Sequence, residues 1–346
     1  MSTDVLSEVL RAVRLTGAVF FKVDSCSPWV AEAPEAKWIA PHVLPGAEHV
    51  IEYHVITHGS CWGGLVGEPA RELHAGDVLV FPQGDRHVLS SAPGMRGPTQ
   101  PEEIFHRPKD GQLPVAMSIN TSGGDVTNLV CGFIGCDARP FNPLLATLPR
   151  VMHTRPKSAG EGALLQHLVR VAVEESSAPR AGGQTMLARL SELLFIEVVR
   201  SYIADLPSET MGWLAGLRDD VVGRALGLLH DRPAECWSLE SLAKEVGASR
   251  SIVAERFSSY VGTPPMQYLA RWRMQLAASL LTGTSVTLSE IAERVGYGSE
   301  AALSRAFKRL VGVAPSAWRE GGRPDIAFVP ADDEVVSLPP TAAEST

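Results

Sequence analysis

Glu52, His54, His58 and His87 are side chains of the kind that hold a transition metal. Imidazole and carboxylate together suit Zn, Fe, Mn or Ni. Glu52 and His54 stand two residues apart in the apolar run VIEYHVI, so a strand there sends both from one face. Gly76, Pro82, Gly84 and His87 are spaced G-x5-P-x-G-x2-H. The same region holds Cys61, Cys131 and Cys136, three of the 5 cysteines of the chain. A thiol of lowered pKa can be oxidised or alkylated as a switch. The alternative is a small buried apolar side chain. An odd, scattered cysteine set does not suggest a secreted disulfide framework.

The elements that must position these groups are short strands. From about 18 to 134, the runs AVFFKV, KWIAPH, VIEYHVI, CWGGLV, DVLVFP, HVLSS, VAMSIN and VTNLVCGFI alternate with Gly, Pro, Asn and Asp. Such punctuation predicts a sandwich or barrel. Residues 92–114 interrupt it with Pro93, Pro98, Pro101, Pro108 and Pro114, a loop that is functional or mobile. Helical spacing marks residues 4–15 and returns from about 161. The second returning helix carries the stripe Leu187, Leu190, Leu194, Ile196 and Val198. It packs on its own domain or pairs with a second subunit.

At 346 residues, with 45% hydrophobic and 20% charged, the chain can bury a real core of roughly two domains and is not mainly disordered. No stretch approaches the roughly 20 apolar residues that span a bilayer. The start lacks a signal-peptide core, so no membrane association and a cytoplasmic location are expected. Net charge is −8, which by itself counts against nucleic acid. The distribution matters more. Residues 217–323 hold 14 basic and 11 acidic side chains, and the rest hold 17 and 28. The basic surplus is confined to one C-terminal segment, and fields act within about 8 Å.

That segment is duplicated. Leu242-Ala243-Lys244-Glu245-Val246-Gly247 is echoed 49 residues later by Ile291-Ala292-Glu293-Arg294-Val295-Gly296. Phe257 then matches Phe307, Pro265 matches Pro315, and Tyr268 matches Trp318. Each copy reads as a short helix, a glycine turn and a second helix, with Ser238, Ser249, Thr287 or Ser289, and Ser299 as N-caps. This is a helix-turn-helix pattern, present twice. Residues 266–281 form a rod of about 24 Å between the copies. Such a rod could set two recognition helices in successive major grooves, about 34 Å apart.

With Gly296-Tyr297-Gly298-Ser299-Glu300, Ser304-Arg305-Ala306-Phe307-Lys308-Arg309, Gly312, Pro315 and Trp318-Arg319, residues 217–320 resemble the DNA-binding domain of the AraC/XylS family of transcriptional regulators. By that resemblance, Ser249, Arg250, Ser251, Ala254 and Glu255 face the groove in the first unit. Ser299, Glu300, Ala301, Ala302, Ser304 and Arg305 do so in the second. Arg pairs with guanine, Glu with cytosine, and Ala methyls meet thymine. Glu255 departs from the family pattern and either reads cytosine or pairs with Arg256 or Arg250. Lys308, Arg309, Arg271 and Arg273 suit phosphates or internal ion pairs.

The spacing that ends at His87 resembles the second motif of the cupin barrel, and the stretch from Glu52 to His58 occupies the place of the first. The resemblance implies that Glu52, His54, His58 and His87 converge on a divalent transition metal. The alternative is a metal-free sensor barrel with structural histidines.

The expected fold class is α+β multidomain: a cupin-like barrel with a helical dimerisation segment, then an all-α domain with two helix-turn-helix units. The expected divisions are a cupin-like effector domain (1–140), a helical dimerisation segment (141–206), a linker (207–216), a double helix-turn-helix domain (217–320) and a disordered tail (321–346). The function expected is a homodimeric DNA-binding regulator controlled by a small-molecule effector, contacting RNA polymerase where it activates. The alternative is a metal-dependent cupin enzyme fused to a helical domain.

Overall fold

A computed structural model of the chain describes residues 4–109, 111–155, 163–177, 180–207 and 209–322. The expected tail lies outside the described residues beyond 322. In chain order, α1 (Val5–Ala12) precedes β1 (Thr16–Cys26), β2 (Val30–Ala33), α2 (Ala36–Val43), β3 (His49–His58), β4 (Ser60–Leu65), β5 (Arg71–His74), β6 (Val78–Phe81) and β7 (His87–Ser90). A 3-10 turn, Glu102–Phe105, sits in the proline-rich loop before β8 (Val115–Ile119), β9 (Val126–Cys136), α3 (Pro143–Thr147) and β10 (Met152–Thr154). Helices follow: α4 (Ala163–Ser177), α5 (Gly183–Asp205), α6 (Trp213–Gly216), α7 (Val222–Asp231), α8 (Leu239–Val246) and α9 (Arg250–Val261). The last are α10 (Pro265–Gly283), α11 (Leu288–Arg294), α12 (Glu300–Val311) and α13 (Pro315–Arg319). Among the described residues, no helix is long and apolar enough to cross a membrane.

Of the described residues, 14–137 and 148–206 form one compact unit, and 4–13, 138–147 and 207–322 form another. In the first, one sheet runs β10-β6-β3-β9-β1-β8 and the other β2-β7-β4-β5. β1 and β8 pair in parallel, and the other strand pairings within the two sheets are antiparallel among the described residues. Phe20, Phe21, Phe81, Phe133 and Trp29 are buried in the core of this barrel. The segment KWIAPH, expected as a strand, is helix α2. Ala36, Ile39 and Val43 recur at helical spacing and are the buried positions, so burial on one helical face decides against the strand.

Helix α5 lies on β1. A Cβ at Gly17 would stand 2.4 Å from the Ala188 carbonyl oxygen, so this close approach requires glycine. Leu187, Leu190, Leu194 and Val198 are buried within this unit, which favours own-domain packing for that stripe. Ser191 reaches Tyr53 Oη at 2.6 Å and ties the helix to β3.

In the second unit, α1 and α3 join the C-terminal helices. Gln275, on α10, is buried; its amide donates to the Ala12 carbonyl (3.3 Å) and accepts from Phe141 N–H (3.0 Å). The duplicated units close as the caps foretell. Ser238, Ser249, Thr287 and Ser299 each accept a backbone N–H three residues on. Gly247 and Gly296 take φ values of 75° and 77°, which glycine reaches without strain. At Gly296 a Cβ would also meet the Ala234 carbonyl oxygen at 2.6 Å. Phe257, Phe307, Tyr268 and Trp318, matched across the repeat, are all buried.

Candidate functional site: nucleic-acid interface and barrel cavity

The second helix of each duplicated unit presents its outer face to solvent. Ser249, Arg250, Ser251 and Glu255 are exposed on or beside α9, with Ala254 half-buried. On α12, Ser299, Glu300, Ala301, Arg305 and Lys308 are exposed, and Ala302 and Ser304 are half-buried. Val253 and Phe257, like Leu303 and Phe307, point inward and hold each helix by its opposite face. Ser249 and Ser299 have a structural duty as well, since each caps its helix at 3.2 Å. Their backbone N–H ends carry the positive pole of the helix, where anionic oxygen is favoured.

Two arginines behave differently from expectation. Arg273 is buried, and its guanidinium donates to the carbonyls of Pro233 (2.7 Å), Glu235 (2.7 Å) and Gly296 (3.3 Å). It therefore serves neither phosphate nor an ion pair; it joins the turn of the second unit to the chain before α8. Arg256 pairs with Asp219, not with Glu255. Among the described residues no ion pair holds Arg305 or Arg250.

In the barrel, β3 and β9 are in register so that His54 lies opposite Cys131. His87 reaches the same point from β7, in the facing sheet. His87 Nδ1 lies 2.9 Å from the Asp85 carbonyl oxygen, which only accepts, so Nδ1 carries the proton. His87 Nε2 must then accept from His54 Nε2–H at 2.8 Å. That leaves His54 Nδ1 to accept from the Cys131 thiol at 3.0 Å. The chain Cys131, His54, His87, Asp85 is thus consistent as a set of neutral groups. Burial and the neighbouring His87 hold His54 well below the usual imidazole range, and burial brings His87 down to about 4. Burial likewise pushes the Glu52 carboxyl well above the usual carboxylate range. Glu52 Oε2 lies 3.9 Å from His87 Nε2, and Glu52 Oε1 is buried without a hydrogen-bond partner among the described residues.

These polar groups face a cavity of about 60 Å3 whose walls are otherwise apolar, with Phe21, Trp29 and Phe105 among them. Phe105 comes from the proline-rich loop. It is buried and meets Phe21 edge-on at 5.6 Å, so this loop is a lid anchored in the core. Glu32, buried on β2, holds the start of the lid by an ion pair with Arg96 and pairs also with Arg86, just before β7.

Residues 4–204 match the Cupin family model, and residues 242–321 match a helix-turn-helix domain. An AraC-like transcription regulator of Streptomyces lividans is 34% identical over 277 residues, covering 79% of this chain and 88% of its own. The chain belongs to the AraC-like family of transcription regulators. The regulator AlkR of Acinetobacter baylyi is 29% identical over 321 residues, covering 92% and 99% of the two chains. MtrA of Neisseria gonorrhoeae is 28% identical over 323 residues, with 92% and 99% covered. These relatives set the regulator above the enzyme alternative.

In this AraC-like regulator the metal set expected from the cupin motifs does not assemble. His58 stands exposed at the end of β3, outside the cavity. In the neutral chain the ring lone pairs of His54 and His87 are committed to Cys131 and to each other. Among the described residues, the three-ligand cluster with all ligand atoms within 4.8 Å of one another is His42, Glu102 and His106, which the sequence reading missed. The four-residue set expected from the sequence is therefore not formed, because His58 lies outside the cavity that Glu52, His54 and His87 share. The expected thiol switch also meets a physical obstacle. Cys61, Cys131 and Cys136 are all buried, which pushes Cys61 and Cys136 up to about 12 and Cys131 upward as well. A redox-sensing cysteine needs accessible thiolate character, and burial here favours the thiol.

Proposed function

We propose that this AraC-like regulator reads specific double-stranded DNA with α9 and α12 and is controlled by a small molecule held in the barrel cavity. The observation that carries the reading is the pair of second helices, each anchored by a buried aromatic and each presenting Ser, Arg, Glu and Ala outward. In this reading Arg305 pairs with guanine, Glu300 and Glu255 accept from cytosine, and Ala301 and Ala302 meet thymine methyls. Lys308 and Arg309 hold phosphates. The 19-residue α10 is a rod of about 28 Å between the units.

The cavity selects by what it lacks. An apolar wall with a neutral hydrogen-bonded patch favours an uncharged, mainly apolar effector carrying a single polar group, because a buried charge costs several kcal/mol or more without a partner. At about 60 Å3 the cavity is far below the roughly 300 Å3 of a drug-sized pocket, so a larger effector must displace the lid. The effector acts by binding one arrangement of the protein better than another. The protein works as a homodimer in the cytoplasm, contacts RNA polymerase where it activates, and performs no catalytic step.

Footprinting tests the DNA surface. Affinity for the operator should fall steeply with salt. Arg305→Ala should weaken specific binding by about 1–3 kcal/mol while thermal unfolding stays unchanged. A footprint of parental strength in that variant removes Arg305 from the interface. Native mass spectrometry of the intact chain, freshly purified, should find a small neutral molecule that Phe105→Ala releases.

A further inference from the structure

The geometry points to a divalent transition-metal site at the rim of the barrel, formed by His42, Glu102 and His106, that clamps the lid over the cavity. The ligand atoms of these three side chains all lie within 4.8 Å of one another. His42 Nε2 is 2.5 Å from Glu102 Oε1, and the rings of His42 and His106 are 4.1 Å apart at their centroids. In a tetrahedral zinc site, bonds of about 2.0–2.2 Å set ligand atoms roughly 3.3 Å apart. His42 Nε2 and Glu102 Oε1 are closer than that and the other pairs are within 4.8 Å, so modest side-chain rotation admits an ion. Two imidazoles and one carboxylate are a zinc set with a fourth position left for water. His42 is half-buried, while Glu102 and His106 are exposed, so the site is open to ions in solution.

The origin of the ligands gives the site its consequence. His42 belongs to the last turn of α2. Glu102 opens the 3-10 turn of the lid, and His106 follows that turn. Ile104 and Phe105, between them, line the cavity. Arg107 already donates to the Val43 carbonyl at 3.1 Å, so the lid and α2 are docked beside the cluster. Glu32 holds the first half of the lid through Arg96; the ion holds the second half. Metal occupancy therefore slows opening of the cavity. Only this regulatory consequence rests on the effector reading above; ion binding does not.

The test uses the full chain without an affinity tag. Zn2+ is titrated in competition with a chromophoric chelator, and hydrogen exchange is followed over residues 92–109 with and without the ion. One equivalent of Zn2+ should bind with micromolar or tighter affinity. His42→Ala and His106→Ala should each weaken binding by about tenfold or more. Cys236→Ser, which removes an exposed thiol elsewhere, should leave it unchanged. Zn2+ should slow exchange of the lid in the parent but not in His106→Ala. Absence of stoichiometric uptake, or uptake that survives both histidine substitutions, overturns the site. Uptake without slower exchange overturns the clamp. Neither result bears on the operator footprint, so failure here is separable from failure of the regulator reading.

Discussion

The two units bury histidine to different ends. In the helical unit, His230 is held between Tyr268, which it meets at 2.8 Å, and the Trp272 ring, 4.2 Å away. It is packing with a hydrogen bond, and its chemistry goes nowhere. In the barrel, His54 and His87 are as well buried, but they face a cavity beside an under-bonded carboxyl. The working side chains are opposite too. Those of the helical unit point outward from a closed core, and those of the barrel point inward from a closed surface. Burial alone therefore does not mark a functional histidine; a neighbouring space does.

The largest effect that can break this contrast is in the helical core. Phe307 is fully buried and meets Trp318 edge-on at 5.8 Å. Phe307→Ala should destabilise the helical unit by about 3–5 kcal/mol. Hydrogen exchange resolved along the chain should show the loss in α11–α13 with the barrel strands unmoved. A loss shared equally by both units would mean that they do not fold as separate bodies.

Acid sharpens the comparison. A histidine whose folded pKa is depressed contributes stability that is complete above its unfolded value and lost as pH falls. For His87, which lies at about 4 when folded, the loss runs from about pH 6.5 to 4 and amounts to about 3 kcal/mol. His230, at about 3, acts with the same sign in the helical unit. Glu52 acts with the opposite sign, because its raised folded pKa makes stability fall as pH rises above the ordinary carboxyl range. The barrel should therefore be most stable at an intermediate pH, whereas His230 makes the helical unit only gain towards neutrality. Urea unfolding read by exchange at several pH values checks this; in Glu52→Gln, where the opposing carboxyl is gone, a barrel indifferent to pH 5 against pH 7 would rule out the neutral histidine chain.

The smallest effect is also the most specific. Glu52→Gln keeps the shape and removes the proton equilibrium, so it should raise the stability of the barrel at pH 8 and make its pH profile resemble that of the helical unit. Unaltered alkaline stability in this variant would show that Glu52 is not held as the neutral acid.

Legibility divides along the same line. The caps Ser238, Ser249 and Ser299, the turn glycines and the matched Phe257 and Phe307 were all readable, and with them the outward faces of α9 and α12. In the barrel, the strand phase of Glu52 and His54 was readable, but their company was not. His58 is only four residues from His54 and lies outside the cavity, while His87 reaches it from the other sheet. His42 was missed because its segment passes for a strand until the burial of Ile39 and Val43 shows a helix.

By itself, the sequence determined the helix-turn-helix pair, because caps, glycine turns and helical stripes are settled by atoms within a few residues of one another. Tertiary structure alone decided that Arg273 is an internal strut, that Cys61, Cys131 and Cys136 are sealed thiols, and that His42 meets Glu102. Those outcomes depend on which strands and loops close on each other, and a contact between residues 60 apart leaves no local periodicity to read.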